Sequence, residues 1–164
     1  MKVEITYEQA RELVDYLPET GEFFRKRNAH KGKELSKGWP GKDGYLRYTL
    51  RGKHYRAHRL AWLLSVGKWP DGEIDHINGD KQDNRITNLR VCTHQQNNHN
   101  QGLRKTNSSG HKNVHWFKAV QKWHVQVCKN RKIHNGGLYA NLDDAVLAAR
   151  QLRIKLHGEF ANHG

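Results

Sequence analysis

The chain has 164 residues, of which 35% are hydrophobic, so it holds one ordinary domain or two small ones around thin cores. Lys and Arg number 29 against 16 Asp and Glu, a formal charge of +13 with a pI near 9.9, which points to a polyanionic partner. No apolar run reaches the roughly 20 residues of a membrane helix and MKVEITYEQA lacks the apolar stretch of a signal peptide, so a cytoplasmic protein with no membrane association is expected.

Residues 1–53 are expected to form a helix followed by hairpins. Thr6 and Gln9 have capping-box spacing, and Tyr7, Ala10, Leu13, Val14 and Leu17 recur at helical intervals up to Pro18. In PETGEFFRKR and GKDGYLRYTLRGKHYRAHR, Thr-Gly and Asp-Gly mark turns, and Tyr45, Arg47 and Thr49 alternate with Leu46, Tyr48 and Leu50. Arg25, Lys26, Arg27, Arg47 and Arg51 give these strands a basic face that either follows a phosphate backbone or is simply solvated.

Residues 54–100 carry the chemistry. Ala57 to Ser65 (AHRLAWLLS) reads as a helix that packs Leu60, Ala61, Leu63 and Leu64 and ends at Gly67 and Pro70. A short strand EIDHI, the Asn78-Gly79 turn, the loop DKQDNRIT and a second short strand NLRV follow, and Thr93 caps a helix starting at His94. This order sends Asp75 and His76 off the first strand and sets Asn97 facing them from the helix.

A polar linker at 101–110 precedes residues 111–164. KNVHWFK, KWHVQVC and RKIH read as three strands, and Leu142, Ala145, Val146, Ala149, Leu152 and Leu156 as one face of a helix with Asp143 and Asp144 in its first turn. Alternation turns Val114, Val125, Val127 and Ile133 toward the helix and His115, His124, Gln126, Lys132 and His134 outward. No acidic residue lies between Asp83 and Asp143, whereas Arg85, Arg90, Arg104, Lys105, Lys112, Lys118, Lys122, Lys129, Arg131 and Lys132 do. A face so free of acids suits a DNA groove. The expected fold class is α+β: small modules, with a three-stranded antiparallel sheet on one helix at the C-terminal end.

Asp75 with His76, then Asn88 and Asn97, supply the parts for hydrolysing a phosphodiester with one divalent ion. Asp75 and the Asn97 amide oxygen are hard donors, which favour Mg²⁺ or Mn²⁺. His76 titrates near neutrality and serves as general base. Asn88 serves to hold the His76 loop and fix the ring. Arg85 and Arg90 are either phosphate clamps or ordinary surface arginines. Cys92 and Cys128 form no C-x-x-C pair; a partial zinc site of Cys92, His94 and His99 is conceivable, but no structural zinc is expected.

With these residues in view, AHRLAW, DHINGD, DNRITNLR and QQNNHN make residues 54–100 resemble the HNH endonuclease family, in the branch that ends its signature in asparagine. The resemblance implies a β-hairpin and helix around one metal, with Asp75 and Asn97 as ligands, His76 as base and Asn88 as the structural asparagine. Trp116 and Trp123 in W-x₆-W, DDAVLAAR and HGEFA make residues 111–164 similar to the DNA-binding domain of plant ethylene-response factors, the APETALA family, which reads the major groove with its sheet. Asn113, His115 and the polar Asn135-Gly136 depart from that family's pattern, so its base contacts do not transfer. The pairing, preceded by LVDYLPETGEFFRKR, resembles phage homing endonucleases. These resemblances imply a site-specific endonuclease on double-stranded DNA; a single active site, with no heptads or obvious dimer helix in the sequence, makes a nicking monomer with no obligate protein partner the expectation. The competing readings are a non-catalytic sequence-specific DNA-binding regulator and an RNA-binding or RNA-cleaving protein whose tryptophans stack bases.

Overall fold

In a computed structural model of the chain, residues 4–26, 33–36, 38–103 and 107–163 are described; Arg27 of the expected basic face and Arg104 and Lys105 of the linker lie outside them. The chain is mixed α+β and divides into two units, Met1–Cys92 and Thr93–Gly164. No helix among the described residues is long and apolar enough to cross a membrane.

In the first unit, α1 (Tyr7–Leu13) opens with the expected capping box between Thr6 and Gln9. It stops four residues earlier than its apolar spacing suggests. Val14–Leu17 leave the helix as strand β1, which pairs antiparallel with β2 (Glu22–Lys26), itself paired with β3 (Lys33–Ser36). Val14 is buried on the core side of this hairpin whereas Leu17 is exposed at its tip, so the spacing that mimicked a helical stripe is divided between two elements. A second small sheet orders β4 (Trp39–Pro40), β5 (Leu46–Leu50) and β6 (Lys53–Arg56), and β6 runs directly into α2 (Ala57–Val66). The third is a two-stranded ribbon of β7 (Glu73–His76) and β8 (Leu89–Cys92).

One apolar core serves all three, with Val14, Phe23, Tyr48, Leu50, Leu60, Leu63, Ile74 and Leu89 buried together. It draws from both sides of residue 53. Tyr16, Phe23 and Tyr48 stack through it with ring centroids 4.9 and 4.6 Å apart, a contact of about 0.5–1.5 kcal/mol per pair beyond burial. Trp69 ties the N-terminal segment down by donating to the Ile5 carbonyl at 3.0 Å.

The second unit begins with the short helix α3 (His94–His99), capped by Thr93 in a second capping box with Gln96. Strands β9 (Val114–Phe117), β10 (Lys122–Lys129) and β11 (Lys132–Tyr139) form an antiparallel sheet with β10 central, packed on α4 (Leu142–His157). Val114, Val125, Ala145 and Ala149 are its buried core. Trp116 lies opposite Trp123, with their rings edge to face at 5.0 Å.

The third strand corrects the expected facing. It runs through Asn135-Gly136-Gly137 to Tyr139 instead of ending at His134, and a bulge at Val125/Gln126 leaves Gly136 as the extra residue between Asn135 and Gly137. A Cβ at Gly136 would stand 2.4 Å from Val125 Cγ1, so only glycine lets the strand cross the core there. Register then sets His134 opposite inward-facing Val127, and Ile133 opposite exposed Cys128. Residues directly opposite share a face. Ile133, expected against the helix, therefore points outward at 58% exposure, and Lys132 and His134, expected outward, share the helix-side face. His115, His124 and Gln126 lie on the outer face as expected, beside Phe117, Ile133 and Leu138.

Candidate active site

The ribbon β7–β8 carries the constellation. Its register places Asp75 opposite Arg90 and His76 opposite Leu89. Asp75 and His76 are both buried, at 4% and 3% exposure. A carboxylate so buried needs a partner, and Arg90 supplies it across the ladder, with Nε and Nη2 donating to the same oxygen, Oδ2, at 2.9 and 2.8 Å. This pair holds the Asp75 side chain in one orientation.

The segment between the strands is held by asparagines. The Asn78 N–H donates to Asn88 Oδ1 at 3.0 Å, while Asn88 Nδ2 donates to Asn78 Oδ1 at 3.0 Å and to the Asp83 carbonyl at 2.9 Å. The Ile77 N–H donates to the Asn88 carbonyl at 2.9 Å. Asn88, in a 3₁₀ turn (Ile86–Asn88) ahead of β8, thus fastens the chain where it leaves His76. Asp83 accepts from Asn78 Nδ2 at 2.8 Å and takes the Arg85 fork at 2.8 and 2.6 Å; the Arg85 hydrogen bond is the main reason its carboxyl falls to about 2.

The ring of His76 is addressed by a different asparagine. Asn84, 2% exposed, donates from Nδ2 to the Gln82 carbonyl at 2.9 Å, which turns its Oδ1 toward His76 Nε2 at 3.4 Å. An acceptor there selects the Nε2–H tautomer and leaves Nδ1 as the ring's basic nitrogen. Asn84 is itself braced by the β1–β2 hairpin: the Tyr16 hydroxyl donates to its carbonyl at 2.8 Å, and the Ile86 N–H donates to the Pro18 carbonyl at 3.1 Å. Gly21, at φ +76°, makes that approach possible, because a Cβ would stand 2.6 Å from the Arg85 nitrogen.

A second imidazole completes the centre. His58, in the first turn of α2 and 3% exposed, sets its ring perpendicular to His76 at 5.1 Å. Tyr45 contacts both, at 4.9 Å from His58 and 5.7 Å from His76, and is flanked by the cations of Arg56 and Lys81 at 5.0 and 4.9 Å. Burial, with the neighbouring His76, Arg56 and Arg59 charges, pushes His58 down to about 3. Burial likewise lowers His76, against the hydrogen bond to Asn84 and the carboxylates of Asp75, Asp80 and Asp83. Both rings are neutral at pH 7. His58 Nδ1 is buried without a hydrogen-bond partner among the described residues.

The structure thus brings Asp75, His76, Asn88 and Arg90 together on one ribbon. Arg85 stands at the edge of that loop on Asp83, and Arg47 lies on β5 with its guanidinium on Asp43 at 3.0 Å. Asn97 sits one turn into α3, and Lys112, His115, His124, Gln126, Lys132 and His134 also belong to the second unit. Three polar residues of the centre carried no assigned role in the sequence: His58, Tyr45 and Asn84. For His58 a signal existed, since a histidine two places into an apolar helix-forming run (AHRLAW) needs a reason to be buried; for Tyr45 and Asn84 only the tertiary fold supplies one.

A buried acid–histidine pair on a two-stranded ribbon, with its loop fastened by asparagine, forms a small polar centre. The HNH endonuclease family model matches residues 55–99. Protein 3.8 of Escherichia phage T7 is 34% identical over 107 residues, covering 65% of this chain and 88% of that protein. An uncharacterized HNH endonuclease of Acanthamoeba polyphaga mimivirus is 34% identical over 128 residues, 76% of this chain and 65% of the relative. The DNA endonuclease I-HmuI of Bacillus phage SP01 is 37% identical over 92 residues, 53% of this chain and 51% of the relative. A solved structure described as DNA binding and cleavage by the HNH homing endonuclease I-HmuI matches at 30% identity and a TM-score of 0.40, covering 54% of this chain and 51% of that one. The chain belongs to the HNH endonuclease family. It spans most of the phage T7 relative but only about half of I-HmuI.

Proposed function

We propose that the protein is a DNA endonuclease of the homing type that hydrolyses a phosphodiester at the Asp75–His76 centre. The observation that carries the reading is the placement of His76: a buried imidazole on a braced loop, its Nε2 3.4 Å from Asn84 Oδ1, next to a carboxylate whose charge Arg90 balances. Nδ1 takes the proton from the attacking water, and Asn84 keeps Nε2 protonated so that the ring acts as a base in one orientation only. Asn88 holds the backbone from which His76 projects, which confines the base to the narrow range of positions that in-line attack requires.

The donor set suits one hard divalent ion. Asp75 and the amide oxygen of Asn97 are the oxygen ligands proposed for it, and no group of three His, Cys, Asp or Glu side chains among the described residues forms a metal cluster of its own. Two protein donors suit Mg²⁺ or Mn²⁺, which retain waters and accept substrate phosphate oxygens. Bound there, the ion supplies charge stabilisation at the leaving oxygen.

The sheet of the second unit is proposed as the DNA-reading module, akin to the ethylene-response-factor domain, with His115, His124 and Gln126 on the outer face. One centre per chain cuts one strand per encounter, so a nicking monomer is the expected form. The test is relaxation of supercoiled plasmid by the wild type and His76→Ala, each with Mg²⁺ and with EDTA. Open circle that needs metal and drops about 10²–10⁴-fold in the variant is expected; cutting by His76→Ala at the wild-type rate would remove the histidine as base.

A further inference from the structure

The second unit contains a groove of about 890 Å³ between α3, the β10–β11 turn and the C-terminal end of α4, apart from the outer face of the sheet. Its lining includes His94, His99, Lys112, Arg131 and His157, and no acidic side chain among the described residues. Lys112 forms the floor: its ammonium donates to the carbonyls of His99, at 2.8 Å, and Gln101. His99 and His157 stack face to face at 3.7 Å, and His157 Nε2 lies 3.1 Å from the Cys128 carbonyl while its Nδ1 is buried without a hydrogen-bond partner among the described residues.

Arg131 is the telling residue. Arg47, Arg56, Arg85 and Arg90 each hold a carboxylate, whereas Arg131 has no partner among the described residues. It also occupies a position that a side chain resists. Asn130 and Arg131 both adopt left-handed backbone, at φ 53° and 61°, in a two-residue hairpin turn whose second place favours glycine. A non-glycine residue there costs about 1 kcal/mol, and the turn accepts this to present a guanidinium at the groove.

We infer that this groove grips the sugar-phosphate backbone of one DNA strand, with Arg131 as the principal phosphate contact and Lys112 and the His99–His157 pair behind it. The ligand class follows from the chemistry: every charged group in the lining is a cation or an imidazole, and the volume exceeds what a single inorganic anion fills. Burial, with the Arg153 charge, lowers Lys112 to about 8, and burial, with the His99, Lys112 and Lys129 charges, lowers His157 to about 4. The contact positions the protein along the duplex and is independent of base sequence. This inference rests on the reading of the chain as a DNA-acting protein.

The test is fluorescence anisotropy of a mixed-sequence duplex of about 30 base pairs in EDTA, titrated across a series of salt concentrations, with wild type, Arg131→Gln, Arg131→Lys and Arg131→Gly. Arg131→Gly relieves the turn, so a loss of binding there cannot be blamed on unfolding. The inference expects Arg131→Gln and Arg131→Gly to bind about tenfold more weakly, with a log-log salt slope lower by about 0.9, and Arg131→Lys to keep most of the slope. Wild-type affinity and slope in Arg131→Gly would overturn it and leave the DNA reading intact. Absence of duplex binding by the wild type would overturn both.

Discussion

The Asp75–Arg90 pair separates two roles for Arg90, and a substitution cycle reads them apart. In Arg90→Met the Asp75 carboxylate, 4% exposed, loses the guanidinium that now sits 2.8 and 2.9 Å from its Oδ2. The side chains in the pair are only 15% and 5% exposed, so solvent screens little of the interaction. Breaking a buried pair from one side costs about 3–5 kcal/mol, because a charge is stranded. At the lower bound that is a fall of about 12 °C in the melting temperature of a unit this size. In the double variant Arg90→Met/Asp75→Asn the stranded charge is gone, and most of the loss returns. The assay is urea unfolding at pH 7 in EDTA, followed by tryptophan fluorescence, so that neither metal nor DNA contributes. An Arg90→Met protein within about 1 kcal/mol of wild type, or a double variant no more stable than Arg90→Met, would refute the argument and return Arg90 to the role of a phosphate clamp.

Asn88→Ala removes three hydrogen bonds and strands the Asn78 N–H and the Asp83 carbonyl, so unfolding free energy should fall by about 2–4 kcal/mol in the same urea assay. His58 gives an acid-sensitive term. Its pKa falls from 6.5 unfolded to about 3 folded, so the unfolded chain binds the extra proton between those values; stability is fully present above about pH 6.5 and declines as pH falls toward 3. From pH 6.5 to pH 5 the loss is about 2 kcal/mol, and His58→Phe should flatten that part of a stability-versus-pH curve. In the second unit, Gly136→Ala drives a methyl into Val125 and should cost about 1–3 kcal/mol by circular dichroism melting. Ile133→Ser, on a side chain 58% exposed, should stay within about 0.5 kcal/mol of wild type, which an inward-facing isoleucine would not.

Local chemistry was legible wherever one element decided it. Both capping boxes, at Thr6 and Thr93, formed as their spacing indicated, because a cap needs only its own first turn. The ribbon strands at 73–76 and 89–92 likewise followed from their sequence. What failed depended on a partner the sequence does not name. Val14–Leu17 satisfied a helical period, but strand pairing with Glu22–Arg25 offered Val14 the same core and the backbone a ladder. Ile133 was turned over by the two-residue turn at Asn130 and Arg131, whose register sets Lys132 opposite Lys129 and hence Ile133 opposite outward-facing Cys128. Arg90 read as either a phosphate clamp or a surface arginine until the register Asp75↔Arg90 was known, and that register fixes its carboxylate partner at once.

The centre is also built from unusual material for so thin a core. Between β7 and β8, the loop is fixed by Asn78, Asp83, Asn84 and Asn88, whose amides and carboxylate bond to backbone and to one another. Asn84 and Asn88 are the buried members of this network, where a polar group left unbonded would cost its full desolvation. The base proposed at His76, which would have to meet a water and a phosphorus in line, gains from this: its position is set by directional bonds of fixed length, where an apolar side chain would slide. The division of labour follows from geometry. Asn88 fixes where the backbone leaves the strand, and Asn84 fixes which nitrogen the ring offers. Arg90 holds the adjacent carboxylate in one orientation across the ladder. None of the three need touch substrate to decide whether His76 can act.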